Sequence, residues 1–271
     1  MMLAEAKFDI VRNLFREKRV LVAFSGGVDS TVLAHLSKQN AKETALLTVD
    51  SITFPRSELA AAQDVAKELG IRLEIIEVDE LANEELVKNP VDRCYHCKQE
   101  LAVVWLNAAD NLGMDLVVDG TNASDMEGHR PGAKALQEAG IVSPFRTAGI
   151  TKDEIREYAR EIGLSVADRP SMACLSSRFP YGIEITEERV RRIERIEQGV
   201  KDLFDIDCVR ARFHGDVVRI EVGRDERNKL FDESLLDTLH ELARENGFKY
   251  VTLDVYGYRT GAMDETLDPS D

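Results

Sequence analysis

Apolar runs and helical patterns alternate through the first half of the chain. Runs rich in β-branched residues at positions 19–24, 44–50, 72–78, 115–119 and 141–145 have the length and composition of strands. The stretches 31–36 and 57–69 repeat their apolar positions at helical spacing, and the second stops at Gly70, as a helix should. Thr151 and Glu154 stand at capping-box spacing ahead of Ile155, which predicts a further helix to about Ile162 with Gly163 closing it. This alternation is the rhythm of a parallel sheet joined by crossover helices.

The rhythm stops at 165–182, where two prolines and the lack of any period predict a structured connecting loop. Beyond it, 186–204 reads as a charged amphipathic helix, 208–213 and 217–222 as strands turned at His214-Gly215-Asp216, 226–246 as a helix, and 250–255 as a last strand. The order α-β-β-α-β predicts a small α+β domain. The expected division is 1–165, a cysteine-containing connecting loop at 166–185, and 186–271.

Composition narrows the function classes. The 271 residues, 44% hydrophobic and 31% charged, suffice for a buried core in one large or two modest domains. Thirty-five basic against 50 acidic residues give a net charge of −15, which repels phosphate backbones and anionic lipid, so neither a broad nucleic-acid binder nor a membrane-surface protein is expected. No apolar run reaches the ~18 residues of a membrane helix, and residues 1–5 lack a basic leader, so a cytoplasmic protein is expected. Four cysteines in a reducing compartment point to metal or redox chemistry rather than to disulfides.

The string Ser25-Gly26-Gly27-Val28-Asp29-Ser30 stands directly between an apolar strand and a helical pattern. Adjacent glycines let the backbone turn tightly against phosphate oxygens, while Ser25, Ser30 and the first helical amides supply donors at the positive end of the helix dipole. There is no Gly-Lys-Ser or Gly-Lys-Thr of a Walker loop, so γ-phosphate transfer is not the natural chemistry; the bland alternative is an ordinary glycine turn. Cys94 and Cys97 have metal-ligand spacing, and Cys174 lies in the irregular loop. Three thiolates on a 4Fe-4S cluster would leave one iron open, whereas a closed zinc site would need His96, His129 or Cys208 as well; a partly buried turn is the alternative for the pair. Cys208, in a strand pattern, reads as a structural thiol, and Trp105 as a core residue. Arg210 and Arg212 alternate along one strand face with Glu221 on the neighbouring strand, which suits either a mononucleotide phosphate or a solvated charged face.

The Ser25–Ser30 string and its strand resemble the PP-loop ATPases, which cleave ATP between the α and β phosphates and adenylate a substrate. That resemblance implies that Ser25, Gly26, Gly27, Asp29 and Ser30 grip pyrophosphate with magnesium. Asp119-Gly120-Thr121-Asn122 matches the family's second nucleotide-side segment, with Asp119 either a further magnesium ligand or a turn cap. Asp50 and Ser51 end the second strand, where an open α/β sheet meets adenine and ribose. Cys174-Leu175-Ser176-Ser177-Arg178, between Asp168-Arg169-Pro170 and Phe179-Pro180-Tyr181-Gly182, looks like the loop of the ATP-dependent sacrificial sulfur transferases of the LarE family, and the similarity runs on through Asp254-Val255-Tyr256-Gly257-Tyr258-Arg259.

The LarE resemblance implies an α/β fold: a PP-loop (adenine nucleotide α-hydrolase-like) doubly wound parallel sheet with a smaller C-terminal α+β domain for substrate binding and oligomerisation. It implies adenylation of a pyridinium mononucleotide carboxylate and sulfur insertion to give a thiocarboxylate, in nickel-pincer nucleotide biosynthesis, with Arg210, Arg212 and Glu221 at the substrate phosphate. In one branch of the family the counterpart of Cys174 gives up its own sulfur; in another, three cysteines hold a 4Fe-4S cluster whose sulfide is transferred. Cys94, Cys97 and Cys174 favour the cluster branch, with Cys174 and Asp29 catalytic. The expected cofactors are ATP, Mg2+ and the cluster. The expected partners are the mononucleotide, sulfide or a sulfur-donor protein, and further copies of the chain. A PP-loop tRNA thiolase and a non-catalytic nucleotide-sensing module are the alternatives.

Overall fold

The computed structural model describes residues 2–126, 131–171, 173–259 and 261–262. The chain forms two compact units, Met1–Glu80 with Asp92–Met172 and Leu81–Val91 with Ala173–Asp271.

In the first unit the order is α1 (Met2–Phe15), β1 (Arg19–Ala23), α2 (Val28–Asn40), β2 (Glu43–Asp50), α3 (Arg56–Leu69) and β3 (Leu73–Glu77). Leu81–Val91 then supplies α4 (Glu84–Val87) to the second unit, and the chain returns as α5 (Arg93–Leu112), β4 (Leu116–Val118), α6 (Pro131–Glu138), α7 (Pro144–Thr147) and α8 (Lys152–Glu161). The four strands pair in parallel in the order β3-β2-β1-β4. Side chains alternate across the sheet. Val20 and Val22 face a core with Phe8, Val11 and Phe15 of α1, Val32 and Leu36 of α2, Val65 of α3 and Ile155 of α8. Leu21 and Leu47 face a second core with Leu101, Trp105 and Ala109 of α5 and Leu136 of α6. Helices thus cover both faces, the doubly wound arrangement, and each such aliphatic side chain contributes ~1.5–3 kcal/mol by leaving water.

The strand expected at 141–145 does not form. Val142 makes a single parallel bridge to Val118, and the chain then turns into α7 with Pro144 at its start. Proline has no N–H for a ladder and suits the first turn of a helix, so the apolar run is spent on one bridge and a helical turn.

The second unit adds α9 (Glu187–Phe204), β5 (Val209–His214), β6 (Val217–Val222), α10 (Glu233–Glu245) and β7 (Tyr250–Leu253). β5 and β6 form the expected antiparallel hairpin, and β7 lies parallel on the other side of β6. The helix expected over 226–246 is interrupted. Arg227–Leu230 is a short 3-10 turn, and Asp232 then caps a new helix by accepting hydrogen bonds from the Ser234 and Leu235 amides. Among the described residues no helix is long and apolar enough to cross a membrane.

Candidate active site

The loop between β1 and α2 is built around one backbone reversal. Gly26 has φ of +72°, and a Cβ there would sit 2.7 Å from the Ala62 Cα, so only glycine fits against α3. Gly27 leads into α2 with no side chain capping the first helical amides. Ser25 and Ser30 face each other across the turn, Oγ to Oγ 3.2 Å, and Ser30 Oγ also donates to the Gly27 carbonyl at 3.1 Å. Hydroxyls and a helix N-terminus are thereby gathered at one concave turn, the arrangement that receives phosphate oxygens.

The second nucleotide-side segment touches this loop. A Cβ on Gly120 would lie 3.0 Å from the Ser30 amide nitrogen and 3.1 Å from the Asp29 Cβ. Asn122 Nδ2 donates to Asp29 Oδ1 at 3.2 Å, and Lys152, the first residue of α8, pairs with Asp29 Oδ2. Asp119 is buried, with Oδ1 accepting from Ser143 Oγ at 2.5 Å and Oδ2 from the Thr121 amide and hydroxyl. Two carboxylates, two serines and a lysine thus converge where the strands β1 and β4 end. The glycine cradle and the oxygen donors suit a magnesium-bound pyrophosphate. At the end of β2, Asp50 pairs with Arg56, whose Nη2 donates to the Ser51 carbonyl at 2.7 Å.

Lys152 is absent from the residues expected from sequence. A signal existed: a lysine in the first turn of a helix opposes the helix dipole, so it asks for a local anion.

None of the four cysteines forms a disulfide. Cys94 and Cys97 lie one turn apart at the start of α5 in the first unit, while Cys174 precedes the 3-10 turn Leu175–Arg178 in the second. Cys94 and Cys174 are exposed. The half-buried Cys97 thiol donates to Glu80 Oε1 at 3.3 Å, and Oε2 of the buried Glu80 accepts from Thr53 Oγ1 at 2.5 Å. Among the described residues no group of three or more His, Cys, Asp or Glu side chains could hold a metal ion. His129 lies outside the described residues. Cys208 is buried, and burial pushes its thiol above the usual range, which suits a structural role. Trp105 is part of the second core of the first unit.

In the second unit the solvated-face reading of Arg210, Arg212 and Glu221 fails. Their exposures are 1%, 4% and 0%, because α9 and the loop at 175–179 cover that face of the sheet. Arg210 stands opposite Glu221 in the β5–β6 register, with its guanidinium 4.6 Å from the centre of the Tyr258 ring. Arg212 donates to Glu221 Oε2 and to the Ser177 carbonyl, both at 2.8 Å, and Arg219 donates to Glu221 Oε1 at 3.0 Å. Two further members come from outside the expected set. Arg178 makes a two-pronged pair with Glu197 at 2.7 and 3.0 Å, and its third nitrogen donates to the carbonyls of Ala173 and Cys174. Burial alone would push the Glu197 carboxyl up, but Arg178 and then Arg210 hold it below the usual range. Glu197 was legible in principle, since it occupies a core position of α9 between Ile193 and Val200. Arg219 in turn pairs with Asp254 at 3.4 Å, so guanidiniums and carboxylates from α9, β5, β6 and the 175–179 loop form one charged network.

The family described as queuosine biosynthesis protein QueC, a PP-loop family, matches residues 19–180. An uncharacterized protein of Synechocystis is 37% identical over 97% of this chain and 98% of its own length. The pyridinium-3,5-bisthiocarboxylic acid mononucleotide synthase of Lactiplantibacillus plantarum is 33% identical over 98% of this chain and 96% of its own. A tRNA-specific 2-thiouridylase MnmA of Methylobacterium nodulans is 29% identical over 57% of this chain and 50% of its own. With a PP-loop match across its nucleotide-side half and end-to-end similarity to the synthase, the chain belongs to the LarE family of PP-loop, ATP-dependent sulfur transferases.

Proposed function

We propose that this enzyme adenylates a carboxylate of a pyridinium mononucleotide and exchanges the AMP for sulfur, yielding a thiocarboxylate for nickel-pincer nucleotide assembly in the cytoplasm. The observation that carries this reading is the similarity to the synthase along 98% of the chain. A carboxylate oxygen of the substrate attacks the α-phosphorus of ATP, the bond to the bridging oxygen breaks, and pyrophosphate leaves. Sulfur then adds to the carbonyl carbon and AMP departs, taking the carbon–oxygen bonding pair. Ser25, Ser30 and the backbone at Gly26 and Gly27 hold the pyrophosphate, Asp50 and Ser51 the nucleoside, and Gly120 and Thr121 the opposite wall of the nucleotide site. Asp29 and Asp119 are the magnesium ligands, and the metal supplies charge neutralisation for the leaving group. Lys152 keeps a cation at Asp29. Arg210 and Arg212 grip the substrate phosphate while Glu221 fixes their forks.

Cys94, Cys97 and Cys174 are proposed as ligands of a 4Fe-4S cluster, Cys174 being closest to catalysis. The support is chemical: Cys94 and Cys97 stand at ligand-type spacing and Cys174 offers a third thiol, a set that suits soft iron-sulfur chemistry. Sulfide or a sulfur-donor protein, and other copies of the chain, are the proposed partners. The tRNA thiolase alternative has lower identity behind it, 29% over 57% of this chain and 25% over 82%, against a net charge of −15.

The test follows ATP together with a carboxylated pyridinium mononucleotide. Pyrophosphate, AMP and a thiocarboxylate are expected to appear only when the acid is present; no acid-dependent pyrophosphate refutes the adenylation. For the cysteines, anaerobic reconstitution should load about four iron and four sulfide per chain, as a 4Fe-4S cluster requires. Alanine at Cys94, Cys97 or Cys174 should abolish loading, and Cys208→Ala should spare it. Dehydroalanine at Cys174 after one turnover, with Cys94 and Cys97 dispensable, refutes the cluster.

A further inference from the structure

The two oxygens of Asp29 are held by groups of different kinds, one fixed and one movable, and all of them belong to the first unit. On the fixed side, Oδ1 accepts from Asn122 Nδ2 at 3.2 Å. Asn122 is 1% exposed, and its own Oδ1 accepts from the Ser124 amide at 2.9 Å. Only an oxygen can accept from that amide, so the Asn122 side chain is oriented and has to present its nitrogen to Asp29. The segment behind it is stapled to the start of α8: the Ala123 amide donates to the Ile150 carbonyl at 2.8 Å, and the Lys152 amide to Ser124 Oγ at 3.1 Å.

On the movable side, Oδ2 pairs with the Lys152 ammonium. The backbone of Lys152 is fixed, because Thr151 and Glu154 close a reciprocal capping box around the first turn of α8. Its charge, however, rides on a flexible four-carbon stem. At a helix N-terminus that charge faces the positive end of the dipole, so it is drawn to whichever anion lies within reach. Asp29 is one such anion, and the phosphates received at the neighbouring Ser25–Ser30 turn carry more negative charge than a single carboxylate. A divalent cation and an ammonium on the same carboxylate oxygen repel each other, so a metal reaches Asp29 Oδ2 only when Lys152 turns aside.

We infer that Lys152 is an exchangeable counterion for Asp29: it neutralises the carboxylate before ATP binds, then swings to the phosphates of metal-bound ATP and leaves Asp29 to the metal. This rests on the magnesium role proposed above for Asp29 and adds an order to it, in which metal and nucleotide enter together and the metal alone is turned away. Removing the lysine charge therefore moves two affinities in opposite directions. The metal alone gains a bare carboxylate, while the metal with its nucleotide loses a cation at the phosphates.

The probe is Mn2+, which shares magnesium's preference for oxygen ligands, followed on the full chain through the spin-resonance signal of the unbound ion, first alone and then with α,β-methylene ATP. Lys152→Met removes the charge at similar length. Mn2+ alone should bind it about tenfold tighter than wild type, and Mn2+ with the ATP analogue about tenfold weaker. Lys152→Gln, which keeps a donor for Asp29, carries the same expectation should the methionine variant not fold. Lys152→Arg keeps the charge and should bind Mn2+ alone as poorly as wild type. Lys67→Met loses the same charge from an exposed position on α3 and should change neither affinity. Adding Asp29→Asn to Lys152→Met should erase the gain. Binding of Mn2+ alone that is no tighter in the neutral variants overturns the inference. So does a gain that survives Asp29→Asn or appears in Lys67→Met, and so does unweakened binding with the analogue. A wild-type protein that binds the analogue no better with Mn2+ than without it instead refutes the magnesium role proposed for Asp29, and the role of Lys152 falls with it.

Discussion

Replacing Arg178 by methionine is expected to cost the second unit a large part of its stability, and the size follows from what the arginine leaves behind. Its side chain is 0% exposed and that of Glu197 6%, so neither charge is hydrated, and the pair is held by two bonds of 2.7 and 3.0 Å. Breaking a buried pair from one side typically costs ~3–5 kcal/mol, because the surviving charge is stranded. Glu197 keeps the Ala211 amide at 2.8 Å and the nearby charge of Arg210, which puts the expected loss near the lower end, ~3 kcal/mol, or about a hundredfold in the folding equilibrium. Arg178→Met with Glu197→Leu removes both charges at similar volume. Relative to the single variant only the Ala211 amide is newly orphaned, at ~1–2 kcal/mol, so the double variant should be more stable than the single one. Urea unfolding, compared through midpoints at constant slope, measures both. Sulfur transfer should stay low in both, since the Cys174 carbonyl has lost its donor. A single variant losing under ~1 kcal/mol, or a double variant less stable than the single, refutes the stranded-charge reasoning.

Gly26→Ala should destabilise the first unit by ~2–5 kcal/mol, from left-handed backbone plus a 2.7 Å contact with the Ala62 Cα, and should raise KM for ATP; Gly27→Ala, which would meet only Ser25 Oγ at 3.4 Å, should cost under ~1 kcal/mol, and equal thermal shifts for the two would contradict the geometry. Stability should also fall on both sides of neutrality. His35 and His214 are held below their usual range by burial, and the Glu197 and Asp115 carboxyls below theirs, Asp115 at about 2 through its bonds to Arg19. Groups lowered in the folded state bind protons more readily when unfolded, so stability should drop as pH falls below 6.5 and again below about 4.5. Cys208 is shifted the other way, so its contribution is present below pH 9 and lost above it. Urea midpoints across pH 4 to 10 test this; a curve that rises steadily on acidification to pH 5 contradicts the signs.

The inner strands β1 and β2 were legible because their middle residues are buried on both faces and so read as continuous apolar runs, and the capping box at Thr151 is present as its spacing implied. What failed was local competition. Pro144 turned one apolar run into a bridge and a helical turn, and Asp232 split a helix by capping its second half. The first helix went unread although Phe8, Val11 and Phe15 fall at helical spacing. The site divided in the same way. Ser25 to Ser30 and Asp119 to Thr121 announce themselves by glycine chemistry, whereas Lys152 reaches Asp29 across 123 residues, a distance at which no local pattern carries information. An alternating strand such as 209–214 tells which residues share a face but not whether that face is covered, so the burial of Arg210 and Arg212 had to come from the packing of α9.

That burial bears on what kind of anion the enzyme takes. A chain of net charge −15 repels a polyanion over most of its surface, and a tRNA would need accessible cations in an extended patch to overcome that field. The long helix α9, the obvious basic stretch, spends its charge internally: Arg191 pairs with Glu187, and Arg192 donates to the Asn246 carbonyl while covering the Phe248 ring. Arg210 and Arg212 lie instead under α9 and the 175–179 loop, almost wholly removed from water. On the function proposed above, these guanidiniums, held by Glu197 and Glu221, are the groups that meet a terminal phosphate, and so covered a site suits a small molecule better than a phosphodiester backbone. Under that proposal an acidic surface over covered arginines favours a mononucleotide over a polyanion.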